Sequence, residues 1–359
     1  MRPESIRELF TPDPGLTYLD SATYGLPPRA AIAALESALA DWRSGSANWL
    51  DWEEEGEVSR ALFATLAGAS QTEIALMPAV SVATALGLSI VPEGGEVLVA
   101  EGDFRSVVFP ALALSRSSRV SVQEVPFDSI AEAVSPRTSL VAVSHVHSAD
   151  GSVADLVAIR EATRSAGAAL YVDATQSLGV LPTDVHALDV DFLACAAYKW
   201  LCSPRGVAFL YVNERWWDAV IPLTASWRGA VGAPSTGYYG SPLDLQLDAR
   251  GFDVSLAWHA WVGARHSLEM LLSIGNEDRW RLASEPASRF AQLLGLAEPL
   301  SSIVSVSVED GDAAQVALAE ARVKMSGRAG RIRFSSHVYN TVTEAEYAAE
   351  VLVPFVSSE

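Results

Sequence analysis

Between residues 72 and 212 short apolar runs alternate with stretches of helical length, and this alternation restricts the fold more than any other feature of the chain. The runs fall at 74–77, 96–100, 120–122, 140–144, 169–173, 192–194 and 206–212, and most are apolar throughout rather than at every second residue. Strands of that kind are buried on both faces. The expected fold class is therefore α/β, a mainly parallel sheet with helices on both faces. The gap between 194 and 206 is too short for a crossover helix, so the last strand should run antiparallel to its neighbour. Ligands of such sheets sit beyond the carboxyl ends of the strands, which puts Ser81, Phe104, Ser148, Asp173 and Lys199 on one rim.

The chain has 359 residues, more than one core usually organises. Three parts are expected: an N-terminal segment, 1–70, packing on a smaller domain; a large domain, 71–252; and a small C-terminal domain, 253–359. Helices are expected at 29–42, 52–66, 253–272 and 343–352, and small-domain strands at 303–307 and 331–335. Residues 225–251, rich in Gly, Pro and Ser and carrying Trp227, Tyr238 and Tyr239, read as a long ordered loop of the kind that meets a partner or a ligand. A net charge of -19 opposes binding to nucleic acid or to an anionic membrane. No apolar stretch approaches membrane length, and the first residues do not resemble a secretory signal, so a cytoplasmic location is expected. Cys195 and Cys202 do not form a disulfide framework, and the scattered histidines lack zinc-site spacing, so no metal is expected.

Lysine occurs only at 199 and 324. Lys199 follows a buried run between aromatic residues, where a solvated ammonium is out of place. Asp173 ends an earlier strand on the same rim. The pair could be a structural ion pair, although such pairs are seldom kept for stability alone. Its chemical reading is a pyridoxal phosphate site, in which a lysine amine meets the aldehyde and a carboxylate keeps the pyridine nitrogen protonated.

Val172-Asp173-Ala174-Thr175-Gln176-Ser177, Tyr198-Lys199-Trp200-Leu201 and Pro204-Arg205-Gly206-Val207 resemble the signature of the class V aminotransferase-fold enzymes, which have the type I pyridoxal phosphate architecture. The resemblance runs from Tyr18-Leu19-Asp20 to Tyr339-Asn340-Thr341. It implies Lys199 as the imine lysine, Asp173 as partner of the ring nitrogen, and Gln176 as a contact of the ring hydroxyl or imine. Phe104 would stack on the ring, unless it is an ordinary core residue. Phosphate donors would be Ser81 and the Val82 amide, in a turn that also reads as a plain helix cap, with the Tyr198 hydroxyl. Ser148 stands where cysteine desulfurases of the family carry Asn. Arg333, with Arg328 in reserve, would hold a substrate carboxylate. Aromatic walls for a large substituent could come from Tyr24 and Trp227, or from Trp49, Tyr238 and Tyr239, each of which reads equally as core packing or a dimer contact.

Tyr198-Lys199-Trp200-Leu201 and Arg331-Ile332-Arg333-Phe334-Ser335 look most like the ergothioneine-pathway C–S lyase branch and its relatives in lincosamide antibiotic biosynthesis. That likeness implies β-elimination on a cysteine S-conjugate, or decarboxylation coupled to oxidative deamination on the same scaffold, in a homodimer. Desulfurase chemistry would need a cysteine on a mobile loop over the imine carbon, where neither Cys195 nor Cys202 falls. Transamination and simple ligand binding without a cofactor are the remaining alternatives.

Overall fold

The computed structural model describes residues 3–117, 120–235, 238–328 and 330–357. Thr236 and Gly237 of the expected long loop, and Ala329 of the arginine-rich segment, lie outside them. The helices are α1 (Pro3–Arg7), α2 (Arg29–Ser44), α3 (Trp49–Ala67), α4 (Val80–Leu88), α5 (Arg105–Ser117), α6 (Ile130–Ala133), α7 (Leu156–Ala166), α8 (Trp258–Leu272), α9 (Asn276–Leu293), α10 (Gly311–Glu320) and α11 (Val342–Leu352). The strands are β1 (Thr17–Tyr18), β2 (Ile74–Met77), β3 (Glu96–Ala100), β4 (Ser121–Val125), β5 (Thr138–Ser144), β6 (Ala169–Asp173), β7 (Phe192–Ala196), β8 (Ala208–Val212), β9 (Ile303–Ser307), β10 (Val323–Lys324), β11 (Ser326–Arg328) and β12 (Arg331–Ser335).

The main sheet has the order β2-β8-β7-β6-β5-β3-β4. Strands β7, β6, β5, β3 and β4 are mutually parallel, while β8 runs antiparallel to both β7 and β2, as the short connection required. Along β6, Leu170 and Val172 enter one core while Ala169 and Tyr171 enter the other. This is the two-residue period of a strand buried on both faces. The first core adds side chains of α3, α7 and α8; the second adds those of α4 and α5.

A third core gathers Phe290, Val304, Val306, Ile332, Phe334 and Leu352, with the Phe290 and Phe334 rings stacked at 4.3 Å. Leu19 reaches into it from the N-terminal segment, and β1 pairs in parallel with β10. Helices α2 and α3 pack instead on α8, whose Trp261, Leu268 and Leu271 share the first core with the main sheet. The chain on either side of residue 252 therefore meets in that core.

Helix α8 begins at Trp258 rather than near Asp253. Residues Ala249–Phe252 form a one-turn helix, and the Asp253 carboxylate accepts from Leu76 N–H at 2.8 Å and from Arg60 at 3.1 and 2.5 Å. Asp253 is thereby tied to α3 and β2. The next residues run across to α8 before the helix can start.

Candidate active site

Adjacent parallel strands β6 and β7 deliver the two central groups to one rim: Asp173 ends β6, and Lys199 lies in the turn after β7. Lys199 is 5% exposed and Asp173 4%. Burial lowers the Lys199 amine to about 8, opposed by Asp173 and reinforced by Arg333 and Arg328. Burial raises the Asp173 carboxyl to about 6, opposed by hydrogen bonds from Thr175, whose N–H lies 2.9 Å from Oδ1. Near neutral pH the site thus holds an ionised carboxylate and a mostly protonated amine that gives up its proton from about pH 8 upward.

The Lys199 Nζ lies 5.2 Å from the centroid of the Phe104 ring. Phe104 is 44% exposed, so it is a wall residue and not part of the core. Its backbone is fixed by Asp103, which accepts from Phe104 N–H at 2.6 Å and from the Ser144 N–H and hydroxyl at 2.9 and 2.5 Å. Phe104, Ser144, Asp173 and Lys199, with Ser148, Gln176, Tyr198 and Arg205, border one cavity of about 100 Å³.

Ala79 and Val80 form another part of the wall, at the start of α4. That start has no side-chain cap, and no earlier turn of α4 offers an acceptor to the Val80 and Ser81 N–H groups. Ser81 is on the exposed side of this turn. The Val82 N–H, expected as a phosphate donor, is directed to the Ala79 carbonyl at 3.2 Å, because a tight first turn uses the third amide internally.

Gln176 donates to the Ala22 carbonyl at 3.2 Å and accepts from Trp200 Nε1 at 2.9 Å, leaving one amide hydrogen for a ligand. The Tyr198 ring lies 5.1 Å under the Arg205 guanidinium.

Arg333 is 1% exposed and donates through Nη1 to the Ser148 carbonyl at 2.6 Å and through Nη2 to the Thr23 hydroxyl at 3.0 Å. Its Nε is buried without a hydrogen-bond partner among the described residues. Burial, then Arg328, lowers it to about 10, while Asp20 at 3.8 Å acts the other way. Arg328 is exposed on the β11–β12 hairpin and reaches the same Thr23 hydroxyl at 3.2 Å.

Tyr24 lies in an adjoining groove with Thr23, Tyr198, Cys202 and Arg205. Trp227 is not brought to the cavity: it packs against Trp49 at 5.9 Å and Tyr238 at 5.5 Å. The neighbouring Arg228 anchors that turn on α3 through Glu53 and Glu57. His147 is a satisfied loop histidine, held by Asp150 at 3.0 Å and the Gly102 carbonyl at 3.1 Å. Both thiols are buried, and burial raises their pKa.

The turn carrying Lys199 is clasped by backbone. The Gly25 N–H donates to the Tyr198 carbonyl at 2.9 Å, and a Cβ on Gly25 would stand 2.0 Å from the Lys199 carbonyl oxygen. Behind it the Trp200 ring stacks on His337 at 5.5 Å, and His337 Nε2 donates to the Trp200 carbonyl at 2.9 Å. Sequence reasoning assigned no role to Arg205, although it stands within a quoted motif as a cation just past the lysine. Thr23 carries no such signal, because its importance comes from two arginines about 300 residues away in sequence.

The family model described as Aminotransferase class-V matches residues 17–347. The chain is 30% identical over 364 residues to an uncharacterized aminotransferase, YcbU, of Bacillus subtilis (strain 168), covering 97% of this chain and 96% of that protein. It is 32% identical over 217 residues to the cysteine desulfurase IscS of Pseudomonas entomophila (strain L48), where the match covers 55% of this chain and 54% of the desulfurase. Among solved structures, the cystine C–S lyase C-DES, in complex with its product cysteine persulfide, superposes with a TM-score of 0.86 at 21% identity, covering 95% of this chain and 98% of that one. The cysteine desulfurase CsdA of Escherichia coli gives 0.83 at 19% identity, with 98% of each chain covered. These two likenesses show a shared fold.

Proposed function

From the premise that this chain belongs to the class V aminotransferase family, we propose that it is a pyridoxal phosphate-dependent C–S lyase acting on an S-substituted cysteine. The reaction is β-elimination: the S-conjugate and one water give a thiol, pyruvate and ammonium. The observation that carries this reading is the buried amine and carboxylate of Lys199 and Asp173 beside Phe104 on one cavity, with the buried Arg333 donating to the carbonyl of Ser148, which lines that cavity.

The donor set fits the cofactor. A buried primary amine whose pKa is lowered by burial suits an aldehyde, a buried carboxylate that stays ionised suits a ring nitrogen, and the uncapped start of α4 suits a phosphate. Lys199, Asp173, Gln176, Phe104, Ser81, Tyr198 and Ser148 would hold it, with the amides of Val80 and Ser81 in place of that of Val82. Bound there, pyridoxal phosphate supplies an aldehyde that captures an amine and a ring that takes up electrons from Cα.

The chain's own residues do the rest. Arg333 binds the substrate carboxylate as a planar fork and so fixes which Cα bond faces the ring. Lys199, once free, takes the α-proton; its lowered pKa makes an unprotonated amine available near pH 8. Asp173 holds the proton on the ring nitrogen. The β-sulfur then leaves.

A desulfurase reading is favoured by the relatives that bear that name. It requires a thiol nucleophile at the cavity, and the burial of Cys195 and Cys202 weighs against it. Decarboxylative oxidative deamination starts from the same bound substrate and would follow if the carboxylate, rather than the α-proton, were set over the ring.

The test begins with purified protein, which should be yellow and, after borohydride reduction, carry the adduct on the Lys199 peptide. Incubation with S-aryl cysteines should release pyruvate and thiol in equal amounts. Oxygen-dependent carbon dioxide release would replace elimination by deamination, alanine with enzyme persulfide from free L-cysteine would replace it by desulfuration, and amino transfer to a keto acid would sink both elimination and deamination. Colourless protein that does not take up pyridoxal phosphate would end the enzyme assignment.

A further inference from the structure

Two guanidinium groups converge on one neutral hydroxyl. Thr23 Oγ1 donates to Asp20 at 2.8 Å and accepts from Arg333 at 3.0 Å and Arg328 at 3.2 Å, so its hydrogen and both lone pairs are used. The hydroxyl positions the arginines and neutralises neither. Asp20, 3.8 Å from Arg333, is the nearby carboxylate, and among the described residues none lies within 4.0 Å of Arg328. Besides Thr23, among the described residues Arg328 donates only to the Gly327 carbonyl, at 2.9 Å, so its charge is left without a countercharge beside that of Arg333. It is also not a distant surface charge, since it acts on both Arg333 and Lys199.

The placement of Thr23 gives direction to this surplus. Thr23 lines the groove that adjoins the main cavity, and Tyr198 and Arg205 border both spaces. Thr23 thus joins the position of Arg333 to that groove and to the exposed Arg328.

We infer that the substrate carries a second carboxylate on its S-substituent and that Arg328 recognises it, while Arg333 takes the α-carboxylate. A carboxylate suits the site because two guanidinium forks offer planar, paired donors. This inference rests on the C–S lyase reading for the identity of the substrate, and it makes Arg328 a determinant of specificity instead of a substitute for Arg333.

The test compares S-(4-carboxyphenyl)-L-cysteine with its amide isostere S-(4-carbamoylphenyl)-L-cysteine on the holoenzyme, reading Kd by calorimetry and kcat/KM by pyruvate release. The carboxylate should bind at least about tenfold tighter. Arg328→Gln should bring that ratio close to one, and Arg328→Lys should restore part of it. Arg328 is exposed at a hairpin, so the variants should match the parent in circular dichroism and Tm. Equal affinities in the parent protein, or a ratio unchanged in Arg328→Gln, would overturn the inference; the latter would also be the result if Arg328 served the α-carboxylate, since both ligands would weaken together. Failure of the lyase reading is a separate result: a preserved affinity ratio without pyruvate removes the elimination step and still supports a second-anion site.

Discussion

Lys199 carries an electrostatic cost in the cofactor-free protein. Its pKa falls from 10.5 to about 8 on folding, so between those values the unfolded chain binds more protons and stability rises with pH; below pH 8 the whole penalty is present. Lys199→Met should therefore abolish pyruvate release and the borohydride adduct, yet stabilise the cofactor-free protein at pH 7 by on the order of 2 kcal/mol, seen as a higher Tm. The gain should shrink as the pH is raised toward 10. An unchanged or lower Tm would show that the amine has found compensation the structure does not contain. The lysine and its partner Asp173 were legible in the sequence because both follow unbroken apolar runs, where an ionisable side chain has few bland explanations. Thr23 was not legible: a threonine after Ser21-Ala22 is unremarkable until folding brings Arg328 and Arg333 to its hydroxyl. Trp227 misled for the opposite reason, since an aromatic in a Gly/Pro/Ser-rich loop suggests a ligand wall, whereas Arg228 beside it fastens that turn to α3.

Elements are positioned by a few backbone approaches and one buried charge cluster. Gly25→Ala would drive a methyl group into the Lys199 carbonyl, and the obstacle is backbone. The segment must withdraw from the lysine turn, so the variant should lose at least about tenfold in kcat/KM and retain less cofactor in an absorbance titration. Parent-like values in both would mean that the segment can shift without moving the lysine. In the cluster, Asp253 binds Arg60 and lies 3.4 Å from Arg228, with all three buried. Asp253→Ala should cost about 3–5 kcal/mol in denaturant unfolding, because two arginines would remain in the interior without their shared carboxylate. A loss below about 1 kcal/mol would show that Glu53 and Glu57 suffice. The same aspartate explains a boundary that periodicity missed. Residues 253–257 are patterned well enough for helix, but Asp253 spends its carboxylate on α3 and β2, and α8 starts later. The inner strands of the main sheet were read more closely, since burial on both faces leaves a continuous apolar run with clear ends, and the antiparallel β8 followed from connection length alone; the edge strand β4, expected at 120–122, runs Ser121–Val125 and is mostly exposed, so its end carried no apolar mark.

At the scale of the molecule, a chain of ring contacts runs from Trp42 through His259, Trp52, Trp258, Trp49 and Trp227 to Tyr238 and Tyr239. Its two ends are the most open: Trp42 is 64% exposed and Tyr239 96%. With Leu243 and Leu247 also exposed, this is much apolar surface for a chain with a net charge of -19. A second copy of the chain packed on it would account for this exposure. Size-exclusion chromatography with light scattering should return about twice the mass of one 38.2 kDa chain, and Tyr239→Glu with Leu247→Glu should shift the population toward monomer. A monomer at micromolar concentration with full cofactor would oppose this.

The pairing of β1 with β10 has a further consequence, which concerns time. The strands of the main sheet leave the ribosome in the first two-thirds of synthesis and can close around the lysine turn as they emerge. Residues 17–23 cannot find Val323, Phe334 or Arg333 until nearly the whole chain has been translated. The strand ends that carry Asp173 and Lys199 are thus made well before the residues that complete their surroundings, and a chain whose translation stops short of residue 323 would lack both Arg333 and the His337 that backs the lysine turn.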